Sequence, residues 1–201
     1  MASNIGNRVR LSIFGESHGS AIGCVIDGLP AGEALDWGEI LTQMARRAPG
    51  RDKTSTPRQE SDTPELLSGT LGSAEEGGLR TTGAPLAMLI RNRNTRSGDY
   101  AELARLPRPG HADYPGFVRY QGFNDVRGGG HFSGRLTAPL VFAGAVCKQI
   151  LRRRGVHVGG HILEIAGVRD RRFDPVAVNG GMLEALAARP FSLLDPAVQA
   201  A

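Results

Sequence analysis

The sequence has no long apolar run: nothing in its 201 residues approaches the roughly 18 consecutive apolar residues of a membrane span. Near the N-terminus, Arg8 and Arg10 lead only into the short stretch Leu11 to Phe14 before charge returns, so no secretory leader is expected and the chain reads as cytoplasmic. Cysteine is scarce. Cys24 and Cys147 stand far apart, each in an apolar context, the pattern of two reduced, buried thiols rather than of a disulfide framework. The phosphate loop Gly-x-x-x-x-Gly-Lys-Ser/Thr is missing, and no Gly-x-Gly-x-x-Gly follows a strand, which removes the two common nucleotide fingerprints. The five histidines, at 18, 111, 131, 157 and 161, show no His-Glu-x-x-His spacing, and no metal site is expected. A serine-hydrolase elbow at Ser17 is not expected either.

Glycine, by contrast, is abundant. Its 28 copies imply many tight turns and places where backbone approaches a ligand or another strand, which suits a site built from loops better than a helical bundle. Hydrophobic residues at 40% and charged residues at 22% suit one globular domain with a real core rather than a disordered chain. A net charge of +4 and a pI near 9.6 admit nucleic acid, an anionic surface or an anionic small molecule as partner. The cations do not form a run interleaved with aromatics. They are scattered through Gly/Pro-rich loops, and the one cluster, Arg152-Arg153-Arg154, falls at a helix end, where the helix dipole favours it. An anionic small molecule therefore fits better than nucleic acid.

Apolar alternation predicts strands over Val9–Phe14 and Cys24–Asp27, then over Glu65–Thr70, Leu86–Asn92 and Val156–Val168. Asp36 followed by Glu39 predicts a capped helix from Trp37 to Arg47. The long helix is expected from Leu136 to Arg154, stopped by Gly155, with shorter ones near Asp99–Arg105 and Met182–Ala188. Arg51–Pro64 lacks periodicity and reads as a long loop of the kind that often carries function.

Three loop segments carry the candidate chemistry: Gly15-Glu16-Ser17-His18-Gly19, Arg108-Pro109-Gly110-His111-Ala112-Asp113 and Gly130-His131-Phe132-Ser133-Gly134-Arg135. Each residue has an ordinary explanation too. His18 could be a turn histidine satisfying a backbone group, Phe132 could be core packing, Ser133 could cap the following helix, and any of the arginines could be a surface charge.

Taken in order, these segments resemble the signatures of the chorismate synthase family. The likeness runs through Asp27-Gly28-Leu29-Pro30, Arg46-Arg47-Ala48-Pro49-Gly50, Leu67-Ser68-Gly69, Thr81-Thr82-Gly83 and Arg96-Ser97-Gly98-Asp99-Tyr100, over nearly the whole chain. The resemblance implies a mixed α/β (α+β) fold of the β-α-β sandwich type, of which residues 1–201 would be the N-terminal portion. It implies a lyase that removes phosphate from 5-enolpyruvylshikimate 3-phosphate in an anti 1,4-elimination, with reduced FMN as cofactor, NADPH as a reductant, and a homotetrameric assembly. Residue by residue, His18 and His111 would be catalytic. Arg47, Lys53, Arg108 and Arg135 would hold substrate anions, and His131, Phe132 and Ser133 would contact the flavin. Lys53 stands where many members have arginine, which keeps the charge but loses the fork geometry, and Gly134 stands where many have alanine. Members run well beyond this length, and their later half supplies further flavin contacts. The alternatives are a noncatalytic flavin- or anion-binding fragment that needs a partner chain, and a basic nucleic-acid-binding protein.

Overall fold

A computed structural model describes residues 3–48, 62–92, 105–189 and 191–200. Strands β1 (Asn4–Ile5), β2 (Arg10–Gly15) and β3 (Ala21–Asp27) form an antiparallel meander. Helix α1 (Trp37–Arg47) follows; the Asp36 carboxylate accepts the N–H of Glu39 at 2.9 Å, and Arg46 and Arg47 lie in the last turn, where the dipole favours cations. Strands β4 (Glu65–Ser68), β5 (Thr70–Leu71), β6 (Arg80–Thr81) and β7 (Leu86–Arg91) complete the strand-rich part. The main sheet has the order β1-β2-β3-β7-β4 with every pair antiparallel, and β5 and β6 pair separately. The mixed α/β class with antiparallel sheets is therefore the observed one.

The core grows from one face of this sheet. Ile22, Cys24 and Ile26 of β3 lie opposite Ile90, Met88 and Leu86 of β7, and all six are buried because period-two alternation sends them to the same side. Each such aliphatic side chain contributes roughly 1.5–3 kcal/mol by leaving water. Helix α3 (Thr137–Arg152) crosses this face: Cys24 Sγ meets the carbonyl of Pro139 at 3.5 Å. The Trp37 ring of α1 meets Phe142 of α3 edge-on, with centroids 6.4 Å apart, so the two helices share one apolar layer. No helix among the described residues is long and apolar enough to cross a membrane.

Two compact units divide the chain, Met1–Val146 and Cys147–Ala201, with the boundary inside α3. In the second, strands β8 (Glu164–Ile165) and β9 (Val168–Arg169) form a hairpin whose two loop residues, Ala166 and Gly167, both have positive φ, as a tight type I′ turn requires. Helix α4 (Gly180–Ala187) begins on the Asn179 cap, whose side chain accepts the N–H of Met182. The buried carboxylate of Asp170 accepts the backbone N–H groups of Arg171, Leu194 and Asp195 at 2.8, 2.5 and 3.0 Å, tying the C-terminal segment to the hairpin.

Several expectations need correction. Val156–Val168 is not a strand: only the two-residue β8 and β9 form, and Val156 and Val158 are exposed. His157 and His161 therefore do not share a strand face; they approach Glu184 and Asp170 instead. Glu65–Thr70 is broken at Gly69, which has φ +86° and no room for a Cβ beside Leu86. A helix not expected from the sequence, α2 (Asp113–Arg119), follows His111. Of the helix expected at Asp99–Arg105, only Arg105 lies within the described residues, in a turn.

Candidate active site

The turn between β2 and β3 presents Ser17 and His18, both buried. Three consecutive glycines, Gly128 to Gly130, lie against it with φ of +58°, +84° and +53°. Ser17 donates through its hydroxyl to the carbonyl of Gly128 at 3.0 Å and through its amide to that of Gly130 at 3.1 Å. A Cβ on Gly128 would fall 2.5 Å from Cδ2 and 2.6 Å from Nε2 of His18, and one on Gly129 would fall 2.8 Å from Cε1 and 2.9 Å from Nε2 of His111. Neighbouring glycines thus receive the two imidazoles, an approach that a side chain at either position would block.

Gly15-Glu16-Ser17-His18-Gly19 does spell the Gly-x-Ser-x-Gly letters of a nucleophile elbow. Its context overturns that chemistry: the segment joins two antiparallel strands rather than a strand and a helix, and its serine hydroxyl is buried against Gly128.

Asp113, at the start of α2, gathers the second loop. Its carboxylate accepts Arg108 Nε at 2.8 Å, Arg108 Nη2 at 2.9 Å and the Arg108 backbone N–H at 2.9 Å, while His111 Nδ1 stands 2.7 Å from Oδ1. The hydrogen bonds from the Arg108 side chain hold the Asp113 carboxyl well below the usual carboxylate range, against the opposing cost of burial.

The remaining cations form another cluster. Asp62, with a side chain 1% exposed, accepts Arg47 Nη1 at 2.5 Å on one oxygen and Arg135 Nη1 on the other. Arg47 also donates to Thr137 Oγ1 and the carbonyl of Gly134. Arg135 Nε reaches Asn92 Oδ1 at 3.3 Å, and Asn92 Nδ2 donates to the carbonyls of Glu16 and Gly19 at 3.0 and 2.9 Å. A continuous path of polar contacts therefore runs from the arginine pair to the loop that carries His18.

His131, Phe132 and Ser133 hold the site's walls. The ring of His131 joins the carbonyl of Gly15 at 2.8 Å to Ser3 Oγ at 3.0 Å, Phe132 packs near Tyr120 with centroids 6.1 Å apart, and Ser133 caps the turn entering α3 by accepting the N–H of Arg135. His131 and Phe132 also line a cleft of about 380 Å³ whose walls include Phe14, Tyr120 and Phe123, with Glu16 and Asp125 at its polar side. That size and aromatic lining fit a flat ring system. The two carboxylates oppose a phosphate there; Arg127 pairs with Asp125 at 2.8 Å and lowers the Asp125 pKa, offsetting part of that charge. Neither His18 nor His111 is among the lining residues.

The structure thus brings His18 and His111 to one glycine wall, joins Arg47 to Arg135 through Asp62, and sets Arg108 beside His111. Lys53 lies outside the described residues. Asp62, Asn92 and Asp113 are the organising residues that sequence reasoning missed. The signals were faint: Asp62 sits in the aperiodic segment, Asn92 immediately follows β7, and Asp113 closes the histidine segment.

The chorismate synthase family pattern matches residues 9–201. The chain belongs to the chorismate synthase family. It is 43% identical over 199 residues to the chorismate synthase of Desulfovibrio desulfuricans, covering 98% of this chain and 51% of that protein. It is 46% identical over 168 residues to the chorismate synthase of Chitinophaga pinensis, covering 84% and 48%. A crystal structure of chorismate synthase superposes with a TM-score of 0.59 at 27% identity, covering 93% of this chain and 48% of that one. The chain spans about half the length of the chorismate synthases it matches.

Proposed function

We propose that this chain carries the histidine and arginine portion of a chorismate synthase site, acting on 5-enolpyruvylshikimate 3-phosphate. The observation that carries the reading is the convergence of His18 and His111 on adjacent glycines of one backbone wall. In a 1,4-elimination the C–O bond to phosphate and a C–H bond both break, so the departing phosphate needs charge compensation and protons must be held nearby. His18 serves as general acid to the leaving phosphate, a role imidazole suits because it exchanges protons near neutral pH. Arg47, Arg135 and Arg108, together with Lys53, supply positive charge for the substrate's carboxylates and phosphate. Each of the three arginines already has a carboxylate partner, so substrate anions are received by a preorganised network rather than by isolated cations.

Reduced FMN, when bound, supplies electron density transiently and recovers it. Among the described residues, the cleft beside His131 and Phe132 fits its ring; His111, which does not line that cleft, is assigned the proton on the family resemblance and on the titration range of imidazole. With this reading go NADPH as reductant, a homotetramer and a cytoplasmic location.

The decisive test is anaerobic chorismate formation by the purified 201-residue chain with reduced FMN, beside a full-length relative as positive control. Turnover that is lost in His18→Ala supports the reading, and turnover unaffected by that change overturns the role of His18. The carboxylates of Glu16 and Asp125 at the cleft, which oppose a cofactor phosphate there, favour a second reading, a noncatalytic flavin- or anion-binding portion that needs a partner chain. It predicts no turnover by the chain alone but restoration when a relative's second half is added.

A further inference from the structure

Asp113 touches both residues that the second loop contributes, and each of its two oxygens takes two contacts, Oδ2 from Arg108 alone and Oδ1 from Arg108 and His111. Oδ2 accepts the backbone N–H and Nε of Arg108; Oδ1 accepts Arg108 Nη2 at 2.9 Å and stands 2.7 Å from His111 Nδ1. Arg108 Nη2 lies 3.2 Å from the same ring nitrogen. These last two contacts make opposite demands. A guanidinium can only donate, so a hydrogen bond from Arg108 requires a bare Nδ1; a carboxylate can only accept, so the Asp113 contact requires a proton there. The shorter contact decides, because two unprotonated acceptors at 2.7 Å would repel while the longer guanidinium contact is readily given up.

We infer that Asp113 is a positioning residue that fixes His111 in the Nδ1–H tautomer, so that Nε2, at the ring edge facing Gly129, keeps its lone pair. Arg108 completes the device. By supplying three donors to the carboxylate it keeps Asp113 ionised and its plane fixed, and a side chain only 3% exposed has little freedom to turn away. The imidazole is then presented as a proton acceptor at Nε2 when neutral and as a donor there once protonated. The inference deepens the proposed role of His111 in that same site, but the tautomer is a property of the protein without ligands.

The test follows from the same geometry. An asparagine at 113 has one acceptor oxygen, and Arg108 offers two donors where Oδ2 now sits. The amide would turn its oxygen there and its NH2 toward His111 Nδ1, which must then accept, moving the ring proton to Nε2. Long-range proton–nitrogen NMR correlation on the histidine-labelled chain, above the pH at which the ring protonates, reads the tautomer directly, with His111→Gln identifying the signals. The expected result is Nδ1–H in the unaltered chain and Nε2–H in Asp113→Asn, with the His131 signals unmoved. An unaltered chain with His111 in the Nε2–H form overturns the inference even if the variant does not fold. A folded Asp113→Asn that keeps Nδ1–H overturns it as well. Failure of His111 to affect turnover in an active enzyme would instead defeat the proposed function and leave the tautomer result standing.

Discussion

Gly128 and His18 are in contact so close that the glycine has no room for a methyl group: a Cβ would lie 2.6 Å from Nε2 and 2.3 Å from the neighbouring Ser17 Oγ. Its φ of +58° adds a second restriction, because L side chains enter that region at a cost of about 1 kcal/mol. Gly128→Ala should therefore destabilise the chain by about 1–3 kcal/mol and displace the His18 ring. Urea denaturation would measure the first effect and the His18 ring resonances the second. A variant as stable as the parent with unmoved signals would show that the contact is loose.

Asp62 should be among the most costly carboxylates to neutralise. Asp62→Asn leaves two arginines sharing a weakened partner, Arg135 being only 6% exposed, and the expected loss is about 3–5 kcal/mol. Asp27→Asn provides the contrast. Its pair with Arg10 is largely in water, and its loss should cost under about 1 kcal/mol. Comparable losses for the two would contradict the assigned burial.

Acid should unlock the second loop late. Because the folded pKa of Asp113 is depressed, its contribution to stability is complete above the ordinary carboxylate pKa near ~4 and is lost as pH falls below that toward the depressed value. Stability measured from pH 5 downward should fall less steeply in Asp113→Asn than in the unaltered chain. Equal slopes would mean that Asp113 titrates normally.

Asp170 makes a prediction confined to the second unit. Burial opposes its charge, but three backbone N–H groups and the His161 contact outweigh that cost and lower its pKa. Asp170→Ala should sharply speed amide exchange at Leu194 and Asp195, whose donors lose their acceptor, while the amide of Met182, capped by Asn179, stays protected. Unchanged exchange at 194 and 195 would refute the tether.

What the sequence disclosed was local. The Asp36 cap, the Trp37–Arg47 stripe and the Gly155 stop are short-range signals, and α1 and α3 form close to where they point. Helix α2 escaped notice because Pro115 and Gly116 look like a turn. Proline is tolerated in a first helical turn, where its missing N–H has no partner to lose, and Gly116 is required because a Cβ would lie 2.9 Å from the ring of Phe132. Alternation misled over most of Val156–Val168 because no strand among the described residues pairs with Val156 or Val158, which stay exposed; only Val168 enters the short β8–β9 hairpin. Within the site, the histidines stood out by type and context. Asp62, Asn92 and Asp113 did not, since a carboxylate or amide read from sequence alone looks solvated until its partners are seen to converge on it, Arg135 from far along the chain on Asp62 and Asn92, and Arg108 from the same loop on Asp113.

Asn92 has the role of a gauge block. One amide spans the gap between Arg135 and the carbonyls of Glu16 and Gly19, so its length helps set the separation between the arginine pair and the histidine turn. Glutamine would preserve every donor and acceptor and still change that spacing by a methylene. Chemically alike residues at this position are therefore not interchangeable, because what the structure uses is the dimension of the side chain as much as its polarity.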